Sequence, residues 1–512
     1  MSQDTTNKSK HIAKNTIVLY IRMLVLMFIS LYTSRIVLNA LGITDYGIYN
    51  VVGGVVAMFS IISGSLSGAI SRYIAYELGK GSTTKLNLVF CSSVNIQLIL
   101  IIFIIILLET IGLWFLNYRI VVPPDRMVAA NWVFQFSIIT FAINLLSVPY
   151  SATIVAHEKM EAFAYISIFD GVSKLAIAFL ILMSPIDRLI YYGLLSMIIS
   201  LIQRFLYSYY CTKHFPECKF RIIIEYKILK EMFGFAGWNF IGASSVILRD
   251  QGGNILINLF FGPTVNAARG IAMSVNSAVS GFVNNFMVAI NPQITKSYAA
   301  GDMKYMFKLT FQGARLSYYI ILILALPILF TTPYLLHLWL DVVPEYAPSF
   351  ARLVLIFTMS ESLASPLITV MLATGNIRNY QLIVGGLQLL NLPLSYAGLM
   401  LGMPPQTVFI TAIFVSIICE FARLLMLNRM IGLQIKKFLY DVYFNALCVS
   451  LIASIPIFAI KYFLADDNIF AFIIICCISL LSSITTIYFV GCNRSDRTLI
   501  KSYVRSFINK LK

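Results

Sequence analysis

Charged side chains stand inside stretches of this sequence that are otherwise apolar enough to lie in lipid. They are Arg22, Arg35, Asp170, Lys174, Arg204, Arg249, Asp250, Arg269, Glu361, Glu420 and Arg423. An Arg or Asp at the centre of a membrane helix costs roughly 2.5–3.5 kcal/mol on insertion scales. Half a dozen of them facing lipid would cost about as much as a domain's net stability of roughly 5–15 kcal/mol. They must face protein or a watery cavity, or lie close enough to a helix end to snorkel. The chemistry they offer is holding and passing charge within a membrane.

Depth sorts them. At 1.5 Å per residue, Arg22 lies about 10 Å inside its stretch and Arg249 about 24 Å beyond Phe233. These two are the foremost cavity candidates, on the first helix of each half of the chain. Arg35 and Arg269 join them, with snorkelling as the alternative, and Arg204, Glu420 and Arg423 are near enough to span ends for snorkelling to account for them. Asp170 and Lys174 are four apart and share a helix face, which fits a structural ion pair or a gated proton or ion site. Arg249 and Asp250 are adjacent, about 100° apart around a helix, and need not pair. Gly252 and Gly253 follow them directly, as a hinge beside the charge or as a close helix contact.

Other chemistry is missing. Gly79-Lys80-Gly81-Ser82 lacks the spacing of a nucleotide-binding P-loop. His11, His157, His214 and His337 fall in tails, loops or helix edges, and the 8 cysteines have no metal-ligand or redox spacing. No metal, no cofactor and no catalytic residue is expected. Energy for transport would come from an ion gradient or the membrane potential.

The elements that must position these residues are membrane helices. The chain is 59% hydrophobic and 12% charged, and a bilayer asks for roughly 20 apolar residues per helix. Spans are expected at 15–39, 46–70, 87–108, 127–148, 162–183, 189–210, 233–260, 266–290, 311–330, 350–372, 380–401, 406–428, 442–461 and 469–491, about fourteen in all. Runs such as Leu98 to Leu108 lack the alternation of a barrel strand, so the fold is all-α. Lys and Arg collect in alternate gaps, about 25 against about 4, the minority being Arg119, Arg126, Arg188 and Lys461. Both termini are therefore expected in the cytoplasm. The net charge of +16 reports this topology, and nucleic acid is not an expected partner. Trp114, Trp132, Trp238 and Trp339 all fall near membrane–water boundaries.

A weak internal repeat divides the chain. Gly42 and Gly81 have the spacing of Gly262 and Gly301, Asn39 and Asn258 precede the first of each pair, and Val148-Pro149-Tyr150 matches Ser365-Pro366-Leu367. Six helices per half make the repeat parallel, with a cleft between two bundles that rock to give alternating access. The expected organisation is an N-lobe at 1–210 (helices 1–6), a cytoplasmic linker at 211–232 and a C-lobe at 233–437 (helices 7–12). Residues 438–512 supply helices 13–14 and a basic tail.

Several local runs resemble the bacterial O-antigen and polysaccharide flippases. Thr33-Ser34-Arg35-Ile36-Val37-Leu38, Leu41-Gly42 and Tyr46-Gly47-Ile48-Tyr49 are similar to that family's first hairpin, as is Gly68 with Arg72-Tyr73. His337-Leu338-Trp339-Leu340 with Pro344-Glu345-Tyr346-Ala347 is similar to its loop between helices nine and ten. The family belongs to the multidrug/oligosaccharidyl-lipid/polysaccharide exporter superfamily. The resemblance implies two six-helix lobes around a cationic cavity in the bacterial inner membrane. It also implies undecaprenyl-pyrophosphate-linked glycan carried from the cytoplasmic to the periplasmic leaflet. Arg22, Arg249, Arg35 and Arg269 would then meet the pyrophosphate, and membrane lipids and other polysaccharide-assembly membrane proteins would be partners. The rivals are an ion-coupled multidrug exporter, a lipid II-type flippase and, in a different class, a polysaccharide polymerase or ligase. The short outer gaps, with little besides His337, argue against the enzyme.

Overall fold

The computed structural model describes residues 2–60, 70, 73–74, 83–157, 159–219, 221, 226–374, 377–463, 468–492 and 497, and the side chains of 2–21, 83–84, 226–243, 288, 289, 292, 296, 299, 377 and 463 are not among those described. Gly64, Gly68, Arg72, the run Gly79-Lys80-Gly81-Ser82 and most of the basic tail lie outside the described residues. So do the side chains of His11 and Trp238.

Every element of regular secondary structure among the described residues is helical. In order, the α-helices are α1 Ser2–Ala57, α2 Thr83–Leu107, α3 Leu113–Tyr118, α4 Met127–Ala156, α5 Met160–Leu180, α6 Arg188–His214, α7 Tyr226–Phe261 and α8 Pro263–Ala299. They continue with α9 Met303–Trp339, α10 Ala347–Ala373, α11 Ile377–Leu389, α12 Asn391–Met400, α13 Thr407–Ile431, α14 Ile435–Phe438, α15 Asn445–Phe463 and α16 Ile469–Thr486. Lipid offers a peptide group no partner, so each span closes its own hydrogen bonds as a helix.

Among the described residues, 11 helices are long and apolar enough to cross a membrane. The difference from about fourteen has two sources. The first two expected spans run together in α1, which turns at Gly42 (φ 79, ψ 170). The spans 233–260 and 266–290 form as the 36- and 37-residue helices α7 and α8. Charges in the one and many Asn and Ser in the other dilute their apolar character. Gly262 (φ 77) turns the chain between them and Gly301 (φ 74) turns it after α8, conformations that only glycine adopts cheaply.

Contacts group the chain into two compact units. One comprises Met1–Ser274, Pro344–Ala347 and Gln381–Thr411; the other comprises Val275–Val343, Pro348–Tyr380 and Ala412–Lys512. In the first unit α4 packs along α6, and α1 along α5. The main core there gathers Ile48, Val51 and Val52 of α1, Ile104 of α2 and Val133, Phe134 and Ile138 of α4. In the second unit α16 packs on both α9 and α15.

One end of the first unit is clasped by charge. Arg126 donates from Nη2 to Asp45 at 2.5 Å and from Nη1 to Asp187 at 2.6 Å. Asp187 also caps α6, accepting from Leu189 and Ile190 N–H. Burial works against the Asp187 carboxylate, but the Arg126 hydrogen bond and the two backbone donors outweigh it and hold its pKa below the ordinary value. The three side chains are 15–30% exposed, so losing the arginine should cost less than the ~3–5 kcal/mol of a fully buried pair. Arg126→Ala is expected to lower stability by about 1–2 kcal/mol, read as an earlier thermal transition in detergent. A depressed carboxylate stabilises above its unfolded pKa of about 3.9 and loses that contribution as pH falls through the lower folded value. The Asp187 share of this stability, read as the difference between wild type and Asp187→Asn, should therefore hold from neutral pH to about 5 and be lost below about 4.

The same unit is closely packed where α1 meets α7 and α8. A Cβ on Gly47 would run into the Pro263 carbonyl, and one on Gly54 would meet Asn254 Nδ2 and Gln251 Oε1 at 2.7 Å. Gly53 faces open space. Gly47→Val should destabilise by about 1–3 kcal/mol because a backbone carbonyl cannot step aside. Gly53→Ala, nearly two turns away, should leave the thermal transition unchanged or raised.

Candidate functional site

In the first unit, α1, α5 and α6 surround a cavity of about 300 Å³. Ser30, Thr33 and Ser34 reach it from before the Gly42 turn, Tyr46, Tyr49 and Asn50 from after it, and Tyr192 from α6. The turn is what brings both stretches of α1 to one space. Asp170 and Lys174 stand on its α5 wall, with Lys174 Nζ donating to Asp170 Oδ2 at 2.7 Å. The i,i+4 spacing has thus produced the ion pair, and Lys174 is the more open partner at 57% exposure against 21%. Gly171 between them lets Leu26 approach, a Cβ there meeting its side chain at 2.6 Å. Tyr49 and Tyr192 lie with ring centroids 4.6 Å apart, while Thr33 Oγ1 is buried with no hydrogen-bond partner. Hydroxyls, an amide and an ion pair around a small space can hydrogen-bond water or a polyhydroxyl group.

A second constellation in this unit gathers five of the residues singled out from sequence. Arg249 Nε donates to Asp250 Oδ1 at 2.9 Å, so the neighbours pair, which the helix angle alone left open. The flexible arginine reaches around the helix to close the angle between them. Arg269, from α8, donates from Nη2 to the Asp250 carbonyl at 2.6 Å and sets its guanidinium over the Phe409 ring at 5.3 Å. It is only 7% exposed, and so does not snorkel. Among the described residues, two cations and one carboxylate give the cluster a net positive charge. Gly252 and Gly253 run through α7 in helical conformation, admitting Leu392 and Val408 respectively, and a Cβ on Gly253 would stand 3.9 Å from Arg269 Nη2. Close packing is the role visible in this conformation.

Arg22 sits elsewhere in the first unit, its guanidinium over the Phe163 ring of α5 at 4.6 Å and its Nε buried without a partner. Arg204 is placed similarly, over Tyr150 at 4.0 Å. Arg35 is half-buried on α1.

The second unit holds a polar cluster that sequence reasoning had set aside. Glu420 and Arg423 are each 1% exposed, so neither snorkels: tertiary packing covers the helix end that hydropathy places near water. Glu420 accepts from Ser360 Oγ at 3.1 Å and from Tyr443 Oη. Glu361 accepts from Ser416 Oγ at 2.5 Å. Ser416, Glu420 and Arg423 fall on one face of α13, which is the only signal in the sequence that could have joined them.

Residues 12–298 match the family described as "Polysaccharide biosynthesis protein". A relative in Bacillus subtilis (strain 168), "Uncharacterized membrane protein EpsK", is 20% identical over 303 residues, covering 59% of each chain. The chain thus spans less than two thirds of that relative's length. Among solved structures, "Lipid II flippase MurJ, inward closed conformation" superposes with a TM-score of 0.69 at 14% identity, covering 92% of this chain and 98% of the other. "Inward-facing conformation of a multidrug resistance MATE family transporter of the MOP superfamily" gives 0.68 at 13% identity, covering 81% and 97%. The fold is that of these transporters.

Proposed function

Starting from the fact that the chain belongs to the polysaccharide biosynthesis protein family, we propose that it flips undecaprenyl-pyrophosphate-linked oligosaccharide from the cytoplasmic to the periplasmic leaflet. The observation that carries this reading is the net-positive cluster of Arg249, Arg269 and Asp250. Guanidinium groups bind phosphate oxygens through charge-assisted, often bidentate bonds, and a cationic drug would be repelled from the same place. Arg22 and Arg35 serve the headgroup along its route, and the isoprenoid tail stays in the bilayer. The hydroxyl-lined cavity beside Asp170 and Lys174 offers hydrogen bonds to sugar. In this reading the protein sits in the bacterial inner membrane with both termini cytoplasmic. Its lobes at 1–210 and 233–437 rock about the Gly252-Gly253 segment, and other polysaccharide-assembly membrane proteins are partners.

The test is headgroup translocation by purified protein in proteoliposomes. Undecaprenyl-pyrophosphate oligosaccharides would be compared with lipid II and with a cationic dye. Transport of the oligosaccharides supports the reading. Movement of the dye alone would make the chain a drug exporter, and of lipid II alone a cell-wall precursor flippase.

A further inference from the structure

In the second unit, α10, α13 and the segment Leu439–Phe444 enclose two carboxylates. Ser360 and Glu361 are neighbours on α10; Ser416 and Glu420 are one turn apart on α13. The crossed bonds, Ser360 to Glu420 and Glu361 to Ser416, therefore hold the two acid groups on successive turns of one interface. Tyr443 closes the far side of Glu420. Arg423 lies within electrostatic range of both acids, and Tyr380 and Cys419 face that arginine. Its Nε and Nη1 are buried with no hydrogen-bond partner, so no fork of donors neutralises either glutamate fully. Among the described residues, two carboxylates lie within electrostatic range of one guanidinium, an excess of negative charge that proteins relieve by binding a proton. Glu420, Tyr443 and Ser360 border a cavity of about 680 Å³, with Arg352 on its wall bonded to the Leu329 carbonyl. A proton thus has an approach.

We infer that Glu361 and Glu420 form a shared proton-binding site, loaded and emptied as the transporter cycles. A metal cation fits poorly. Both Glu420 oxygens already accept hydrogen bonds, and Arg423 repels a second cation. The site does not depend on which substrate is carried.

Infrared titration of the full-length protein in detergent reads the protonated-carboxyl stretch directly and needs no substrate. The expected result is a band from one carboxyl that disappears on alkalinisation in wild type and is lost in both Glu361→Gln and Glu420→Gln. With either acid removed, the remaining carboxylate faces Arg423 one to one and needs no proton to balance its charge. Thermal transitions would confirm folding, and Tyr443→Phe, which keeps both acids, should shift the band's midpoint. A titration identical in both Gln variants and wild type would overturn the inference. So would a midpoint that moves when sodium replaces choline in the buffer, which would mark a metal-cation site.

Discussion

Arg249→Ala should reduce translocation of an undecaprenyl-pyrophosphate oligosaccharide by about 10- to 100-fold, the worth of a hydrogen bond to a charged group at roughly 1.5–3 kcal/mol. The substitution turns a net-positive cluster into a neutral one, with Asp250 left opposite Arg269. Arg249→Lys keeps the charge but loses the planar fork, and should fall between. Asp250→Asn is the diagnostic partner. It raises the net charge by one, so an anion-binding cluster should retain or gain affinity for pyrophosphate, whereas a purely structural pair would simply be broken. Arg269→Ala is a poorer probe, because Arg269 is buried and its Nη2 holds the Asp250 carbonyl; its loss should lower the thermal transition as well as transport. Equal transport by wild type, Arg249→Ala and Asp250→Asn would remove the cluster from the substrate's path.

What the sequence made legible follows from how local each signal is. The solvent, the all-helical fold and the family were readable because lipid imposes one rule on every span. Gly42, Gly262 and Gly301, matched by spacing alone, prove to be positive-φ turns. Their chemistry, a residue without Cβ at a helix end, is written in a single letter. The Asp170–Lys174 pair was readable because both partners lie on one helix. Glu420 and Arg423 were not. Whether a charge near a helix end reaches water or is covered depends on neighbours such as Tyr443 and Ser360, which no local pattern names. Arg126 was counted as a marker of topology, yet Asp45 and Asp187, distant in sequence, make it a clasp.

Asn258 shows how much one such distant contact carries. In the sequence it stands out only for preceding a glycine, yet it is 0% exposed and its side-chain amide mimics a strand partner for a loop. Its Oδ1 accepts from Val121 N–H at 2.8 Å and its Nδ2 donates to the Val121 carbonyl at 3.2 Å. Asn258→Ala removes both at once and strands a donor and an acceptor of the 119–123 segment. Val121 itself is 45% exposed, so at roughly 0.5–1.5 kcal/mol for each of the two part-buried bonds and about 1 kcal/mol for the void, the expected loss is about 2–4 kcal/mol. That should appear as a large drop in the thermal transition in detergent, larger than for Arg126→Ala. Asn258→Asp separates the two bonds: the carboxylate still accepts from Val121 N–H but cannot donate to its carbonyl, and it buries a charge. Its thermal transition should fall further as pH rises and recover in acid, when the protonated carboxyl can donate again. A transition in Asn258→Ala within about 0.5 kcal/mol of wild type, the margin of a surface substitution, would mean that water replaces the amide and that the loop is held by its other contacts.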